Sequence, residues 1–333
     1  MRLTRRAALL APLAAPFLAR SAAAAETIRI GQANASLSFL PIWAARAEDS
    51  FAPAGLTLSW AAIPGGDPAC LAAVDAGDID LAAVGSDTTL AAVSHDQPFV
   101  MVYVLMAKMS LEVVVSKALL KRTGVSATDP LKRRIGALKG AIIGVSAIGG
   151  AQDRTARWIA AQGGLDPKAD VQVALVGGPP AIQAAMENGR IDAFVLSPPE
   201  SGIAEAGGYG IRLVDPGRDF PQLAGLPNLV LAAKRNPDAA TAARITAALG
   251  ALTAGARAVM ASPDAAAKLI GAKYYAKIPL PILSAATRSM VDGLAGGGRF
   301  TPAGLAALKL FSKGSGVPFP AGHAFWTNDF IKS

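Results

Sequence analysis

One stretch of this chain occurs twice, and that repetition constrains the fold more than any other feature. Residues 64–86 (PGGDPACLAAVDAGDIDLAAVGS) return as residues 176–198 (VGGPPAIQAAMENGRIDAFVLSP) at a constant offset of 112 residues. Gly65 and Gly66 align with Gly177 and Gly178, Pro68 with Pro180, and Ala72 and Ala73 with Ala184 and Ala185. Gly77, Ile79 and Asp80 align with Gly189, Ile191 and Asp192. Each copy reads as one mechanical unit. A glycine pair makes a tight turn, and a proline sits just inside a helix start, where its missing N–H costs nothing. A short alanine-rich helix ends at a glycine that accepts the left-handed conformation, and an apolar run then reads as a buried strand. Residues 141–144 (AIIG) echo residues 28–31 (IRIG) at an offset of 113. Both halves therefore carry β-α-β-α-β in the same order. This predicts an α/β protein of two similar lobes, each a mostly parallel sheet with flanking helices.

The remaining elements follow from periodicity and breakers. Residues 27–31 form the first strand, and residues 39–47 a helix with Phe39 and Trp43 on one face. The strand at 56–63 runs into the first repeat. Strands are also predicted at 99–105 and 111–115. The basic, turn-rich segment 117–139, with Lys121, Arg122, Lys132, Arg133 and Arg134, reads as a solvated surface. Beyond the second repeat, apolar runs at 211–214 and 229–233 flank a Pro/Gly-rich stretch, 216–227, where the chain is expected to return to the first lobe. Helices are predicted at 239–260, 263–270, 283–294 and 302–311. They have no repeat partner and are expected to pack on the first lobe and carry little chemistry. The first lobe is thus expected to comprise 26–107 with 233–333, and the second 108–232.

The N-terminus reads as a targeting segment. Arg5-Arg6 precedes an apolar run at 7–19, and Ala23-Ala24-Ala25 offers an A-x-A-like cleavage site before Glu26. This is the pattern of a twin-arginine signal peptide over residues 1–25, which predicts a soluble, exported, periplasmic protein. The run is too short to span a bilayer. At 52% hydrophobic and 17% charged residues, the chain is not disordered. Without Arg2, Arg5, Arg6 and Arg20 the formal charge falls from +8 to +4, too little to argue for nucleic acid. The most apolar window, 98–115, is interrupted by Lys108 and Glu112 and reads as core strands. Cys70 stands alone, cannot form an internal disulfide, and reads as a small buried residue.

In open parallel sheets, ligands bind beyond the carboxyl ends of the strands. Six loops qualify: 32–38, 64–67, 85–88, 146–152, 177–179 and 197–200. Their candidate ligand-binding residues are Asn34, Ser36 and Ser38; Gly65, Gly66 and Asp67; Ser86 and Asp87; Ser146, Gly149, Gly150 and Gln152; Gly177 and Gly178; Ser197 and Glu200. Most of these loops enter helix N-termini, whose free N–H groups favour negative charge. The same residues serve equally well as turns and caps. The loops hold no lysine or arginine, the nearest being Arg154, so an anion would rest on backbone N–H groups and hydroxyls. Asp67, Asp87 and Glu200 would suit an amine. A zwitterion such as an aminosulfonate, or a neutral heterocycle, therefore fits better than a bare inorganic anion. For Phe39 and Trp43, core packing is favoured over stacking on a ligand ring.

Chemistry beyond binding finds little support. His95 and His323 have no nucleophile at informative spacing, and no cluster of metal-ligating residues is present. Residues 144–150 (GVSAIGG) do not match the dinucleotide fingerprint, and no P-loop lysine follows. Asp78 and Asp80 could form a carboxylate pair, but the recurrence of Asp80 as Asp192 points to a structural turn. No catalytic residue, metal or cofactor is expected.

Several of these segments also carry a family likeness. Residues 140–145 (GAIIGV), Gly149-Gly150, Gly163-Gly164-Leu165-Asp166 and Asn188-Gly189-Arg190-Ile191-Asp192-Ala193, in that order, resemble the solute-binding proteins of ABC importers. The nearest branch is the nitrate/sulfonate/taurine group with its thiamine-precursor relatives. The likeness runs from residue 27 to residue 234 and fades in the C-terminal helices. It departs at Ala137-Leu138-Lys139-Gly140-Ala141, where the family carries Asp-Leu-Lys-Gly-Lys. The resemblance implies a type II periplasmic-binding-protein fold, two crossing segments, and a ligand trapped by hinge closure. It implies a monomer that binds a small polar solute of sulfonate or taurine kind, with a membrane permease and an ATPase as partners. It leaves open a pyrimidine-binding protein, an enzyme on the same scaffold, or a sensory binding protein. The single cysteine and the export signal oppose the enzyme.

Overall fold

The computed structural model describes residues 25–294, 296–320 and 324–332. The twin-arginine segment up to residue 24 and His323 lie outside them. The described strands are β1 (Glu26–Gln32), β2 (Leu56–Ala62), β3 (Leu81–Gly85), β4 (Phe99–Met106), β5 (Glu112–Ser116), β6 (Ile142–Val145), β7 (Gln172–Leu175), β8 (Ala193–Leu196), β9 (Gly210–Val214) and β10 (Leu229–Lys234). They form two sheets, ordered β2-β1-β3-β10-β4 and β7-β6-β8-β5-β9. In each sheet the first three strands are parallel, and the fourth runs against both its neighbours. Four strands of five therefore point the same way. The reversed strand, β5 or β10, is in each case the first one made after the chain crosses from the other sheet. Each crossing segment, 107–111 or 215–228, leaves an edge strand and enters the interior of the opposite sheet.

The apolar runs explain these positions. Every residue of β3, β4, β5 and β8 is buried, which suits strands covered on both faces. The residue-98-to-115 window is accordingly core. Among the described residues no single helix is long and apolar enough to cross a membrane.

Both repeat units fold alike. The helix Gly66–Ala76 ends at Gly77 (φ 80°), and the helix Pro179–Glu187 is followed by Asn188 and Gly189 (φ 69°). The Asp80 carboxylate accepts the backbone N–H of Arg29 at 2.8 Å and its guanidinium at 2.7 and 3.1 Å. In the second sheet the Asp192 carboxylate accepts the backbone N–H of Ile142 at 3.0 Å and the Arg122 guanidinium at 2.9 Å. Each aspartate thus stitches the approach to β3 or β8 onto the neighbouring strand, β1 or β6, a structural role.

Three details differ from the expectations. The helix placed at 283–294 begins earlier, as Leu280–Met290, followed by one 3-10 turn at Val291–Leu294. Pro281 sits in its first turn, where its ring is compatible with a helix start. One member of the basic segment is not solvated. Arg134 is buried and donates to both carboxylate oxygens of Asp219, at 2.8 and 3.1 Å, and to the Leu213 carbonyl at 2.7 Å.

The C-terminal third, finally, is divided between the two halves. The helix Ala239–Ala261 packs on the helix Leu40–Ala47 of the first half, so closely at Gly255 that a Cβ there would lie 2.6 Å from the Ala45 nitrogen. The helix Pro302–Ser315 instead covers the helix Ala151–Gln162 of the second half. The Trp158 ring lies 5.4 Å from Phe311 and 4.8 Å from Phe220, and Gly314 leaves room for its indole. The tail then returns to β4, where Met101 donates to the Phe325 carbonyl and accepts from Thr327, each at 2.9 Å. Trp158 and Phe311 lie far apart in the chain, so no periodicity links the faces they cover.

Candidate functional site: a cleft between the two sheets

The helix Ser86–Ser94 starts directly at the end of β3, which puts Asp87 and Thr88 in its first turn. Asp67 occupies the first turn of the neighbouring repeat helix. One of its carboxylate oxygens accepts the Gly85 N–H at 3.0 Å and the Thr88 hydroxyl at 3.2 Å. From the other sheet, β6 leads through a loop containing Gly149 (φ 71°) into the helix Ala151–Gln162. Arg154 lies one turn inside that helix, and helical side chains lean toward the N-terminus. Its guanidinium therefore reaches back over the loop and across to the first half. Nε donates to Asp87 at 2.6 Å, Nη2 donates to the Thr88 hydroxyl at 2.8 Å, and Nη1 donates to the Gly149 carbonyl. The pair is shielded from water, with side-chain exposures of 19% for Arg154 and 8% for Asp87.

The second residue of this group carries an unusual charge state. Loss of hydration raises the Asp67 carboxyl to about 6, helped by the charge of Asp87 and opposed by Gly85, Thr88 and Arg154. A carboxyl raised in the folded state binds its proton more tightly there than in the unfolded chain. Its effect is that stability falls as pH rises from the ordinary value of 3.8 through about 6. Asp67→Asn is therefore expected to raise the melting temperature by a few degrees at about pH 7.5, and by much less at about pH 4. Thermal melts at both values check this; equal shifts would exclude the assignment.

A second meeting point lies at the rim. Glu200 of the second half accepts from Gln183 at 2.6 Å, and Tyr209 in turn donates to Gln183 at 2.7 Å. Burial raises the Glu200 carboxyl. Burial, and then the charge of Glu200, push the Tyr275 hydroxyl upward. Tyr275 also donates to the Ala35 carbonyl at 2.7 Å.

Asn228 ties the crossing segments to the cleft. Its N–H donates to Met106 at 2.9 Å, its carbonyl accepts the Ser86 N–H at 3.0 Å, and its side-chain oxygen accepts the Ser110 N–H at 3.3 Å. The Ser110 hydroxyl meets that of Ser197 at 3.2 Å. Between these groups a cavity of only about 10 Å³ is lined by Ser86, Asp87, Thr155 and Asn228 together with Met109, Leu111, Ala151, Leu226 and Phe311. That is room for one water, so a solute of several heavy atoms requires the two halves to part.

The other candidates serve their own loops. The Asn34 side chain accepts the Ser36 N–H at 2.9 Å, and the Ser36 hydroxyl donates to Ser38 at 3.3 Å. Gln152 accepts the Ser146 N–H at 2.6 Å, and the Gly150 N–H donates to Ala147. Gly65 (φ 96°), Gly66 (φ 75°) and Gly177 (φ 119°) form turns, and Gly178 caps its helix. The first of these loops is clamped by aromatic donors. Trp60 donates to Gln32 at 3.1 Å and Trp43 to the Ser36 carbonyl at 2.7 Å. Trp43 is buried, with the Arg46 guanidinium 4.9 Å from its ring and 4.1 and 4.6 Å from those of Trp60 and Tyr274. Phe39 is buried as well. The structure thus gathers Asp67, Asp87, Ser86 and Thr88 of the selected loops around Arg154 and Asn228, two residues outside them. For Arg154 a signal existed: a cation one turn after a glycine loop projects back over that loop.

Reactive groups are scarce. Cys70 is buried, and its thiol is pushed up to about 12 by burial and by Asp67, which keeps it protonated. Among the described residues no group of three or more His, Cys, Asp or Glu side chains could hold a metal ion.

The NMT1-like family matches residues 21–271. The chain belongs to that family. Solved structures similar to this NMT1-like chain include a protein from Bordetella bronchiseptica RB50, 23% identical over 91% of this chain and 95% of that one, with a TM-score of 0.74. The alkanesulfonate-binding protein SsuA from Xanthomonas axonopodis pv. citri, bound to MOPS, is 18% identical over 92% and 98% of the two chains (TM-score 0.66). The periplasmic nitrate-binding protein NrtA from Synechocystis PCC 6803 is 16% identical over 80% and 72% (TM-score 0.64). At these identities the likeness is one of fold, the two-lobed fold of periplasmic binding proteins. A search of curated protein sequences finds no match.

Proposed function

We propose that this protein is the exported solute-binding component of an ABC importer, which captures a small polar organic solute of sulfonate or taurine kind between its lobes and delivers it to a membrane permease. The observation that carries this reading is the reach of Arg154 from the second lobe to Asp87 and Thr88 of the first. Closure is thereby concentrated at one polar point flanked by two helix N-termini. With the lobes apart, Arg154 and the N–H groups opening Ser86–Ser94 and Ala151–Gln162 are available to an anionic group. Asp67 and Asp87 are available to an amine. One cation beside two carboxylates fits a zwitterion better than a bare anion. Captured solute then replaces the direct contact between lobes with a bridged one, and the crossing segments around Asn228 act as hinge. The inert Cys70 thiol favours binding over turnover.

The test is ligand-dependent melting of solute-free protein with taurine, methanesulfonate, nitrate and a hydroxymethylpyrimidine. Taurine-like compounds are expected to raise the melting temperature by several degrees at saturation. No shift with any of the four would overturn the reading. Export is checked in the same protein: release by osmotic shock is expected to cease in the variant carrying Arg5→Lys and Arg6→Lys together.

A further inference from the structure

We infer that the first lobe carries a second binding site, beside the cleft rim at Tyr275 and distinct from the Arg154 contact, for a small organic anion with an apolar body. The site is a cavity of about 530 Å³ between the helices Pro263–Tyr274 and Leu280–Met290 and the turn that joins them. It is a depression open to solvent with the volume of a small organic ligand, whereas the space around Asp87 holds one water.

Its chemistry is one-sided. Lys268 and Lys277 line it, both are exposed, and neither takes part in an ion pair or hydrogen bond with the described residues. No carboxylate lines the cavity, and the one whose charge reaches its Tyr275 wall, Glu200, is hydrogen-bonded to Gln183. The nearby Asp264, on the first of the two helices, is already paired with Arg288 on the second. The floor is apolar: Leu283 is buried, Ile278 is half-buried, and Leu280 stays 43% exposed at the rim. Two unpaired cations over uncovered hydrocarbon match an anion attached to an apolar body, and neither a cation nor a sugar satisfies both halves of that lining.

The cavity is held open by its frame. Gly271 lets the two helices approach so closely that a Cβ there would lie 2.9 Å from the Leu283 side chain. The Asp264–Arg288 pair fastens them on the outside, and Tyr275 is anchored through its hydroxyl to Ala35. The proposal does not rest on the cleft's function.

The probe is naphthalene-1-sulfonate, titrated calorimetrically into the full chain, with naphthalene-1-methanol as the uncharged counterpart. One site is expected for the sulfonate, at least about tenfold weaker for the alcohol. The exposed double variant Lys268→Glu/Lys277→Glu is expected to weaken the sulfonate by at least about tenfold. Ala272→Trp, which places an indole in the cavity wall, is expected to abolish binding. All three positions are exposed, and melting curves confirm that the variants fold. Binding is expected to survive Arg154→Ala. No binding at ~5 mM, or equal binding by the alcohol, would overturn the site. Indifference to the lysine variant would do the same, and loss in Arg154→Ala alone would assign the probe to the cleft instead.

Discussion

Replacing Arg154 by alanine is expected to weaken solute binding by about 10²–10³-fold while leaving the melting temperature of the solute-free protein nearly unchanged. The Arg154 guanidinium is partnered on both sides of the closed cleft, by Asp87 and Thr88 of one half and Gly149 of the other. Its Nε meets Asp87 at 2.6 Å and its Nη2 meets Thr88 at 2.8 Å, while Asp67 stands behind Thr88 at 3.2 Å. Removing the guanidinium leaves two carboxylates facing each other out of water. Truncating one partner of such a pair across an interface costs roughly 2–5 kcal/mol, largely through the charge left behind. That penalty falls on the closed state alone. When the lobes part, Asp87 regains water, so global unfolding does not register the loss. Isothermal titration with the solute identified by melting, beside small-angle scattering, checks both halves. Arg154→Lys should recover part of the affinity, since an ammonium keeps the charge but not the fork of donors. An affinity within threefold of the parent would remove Arg154 from the mechanism.

The largest loss of stability is expected at Asp219. Its two oxygens accept from Arg134 at 2.8 and 3.1 Å, and one also accepts the Asp215 N–H at 2.9 Å. Both side chains are under a tenth exposed. Burial alone would raise this carboxyl, but the hydrogen bonds from Arg134 and Asp215 and the charges of Arg134 and Arg218 outweigh it and hold it below the ordinary carboxylate range. Asp219→Ala strands Arg134 in the interior, which costs about 3–5 kcal/mol. For a chain of this size that corresponds to a fall of roughly 4–7 °C. The sign of the pH dependence follows. A depressed carboxyl contributes its full stabilisation above the ordinary value of 3.8 and loses it as pH falls through the lower folded value. Urea titrations of parent and Asp219→Asn should therefore differ most near neutral pH and converge in acid. A difference under about 1 kcal/mol at neutral pH would show the pair to be dispensable. Asp219 lies in the second crossing segment, so its loss should also loosen the hinge.

Much of the architecture was legible before any coordinates. The paired glycines, the helices that follow them and the aspartates 112 residues apart all report local geometry. Gly77 and Gly189 end their helices, and Asp80 and Asp192 make the same bond to the neighbouring strand, β1 or β6. These features depend on backbone conformation and neighbours a few residues away, which spacing encodes directly. The site was legible only in outline. Loops 64–67 and 85–88 do meet at Asp67 and Asp87, yet Ser36, Ser38 and Gln152 spend their hydrogen bonds on their own loops. A polar residue at a loop can serve either use, and only its neighbours in space decide between them.

What the sequence by itself determined was therefore the unit and its duplication: two β-α-β-α-β halves, their turns, and a cleft edge on each. The tertiary structure alone decided how the halves face one another. Because β5 and β10 each enter the interior of the opposite sheet, the crossing segments set the angle at which two similar edges meet. That angle brings Arg154 to Asp87, places Asn228 between Ser86 and Ser110, and lays Phe311 on Trp158. A repeat specifies each half through contacts within it. The contacts between halves join residues with no common period, and they exist only once both are folded.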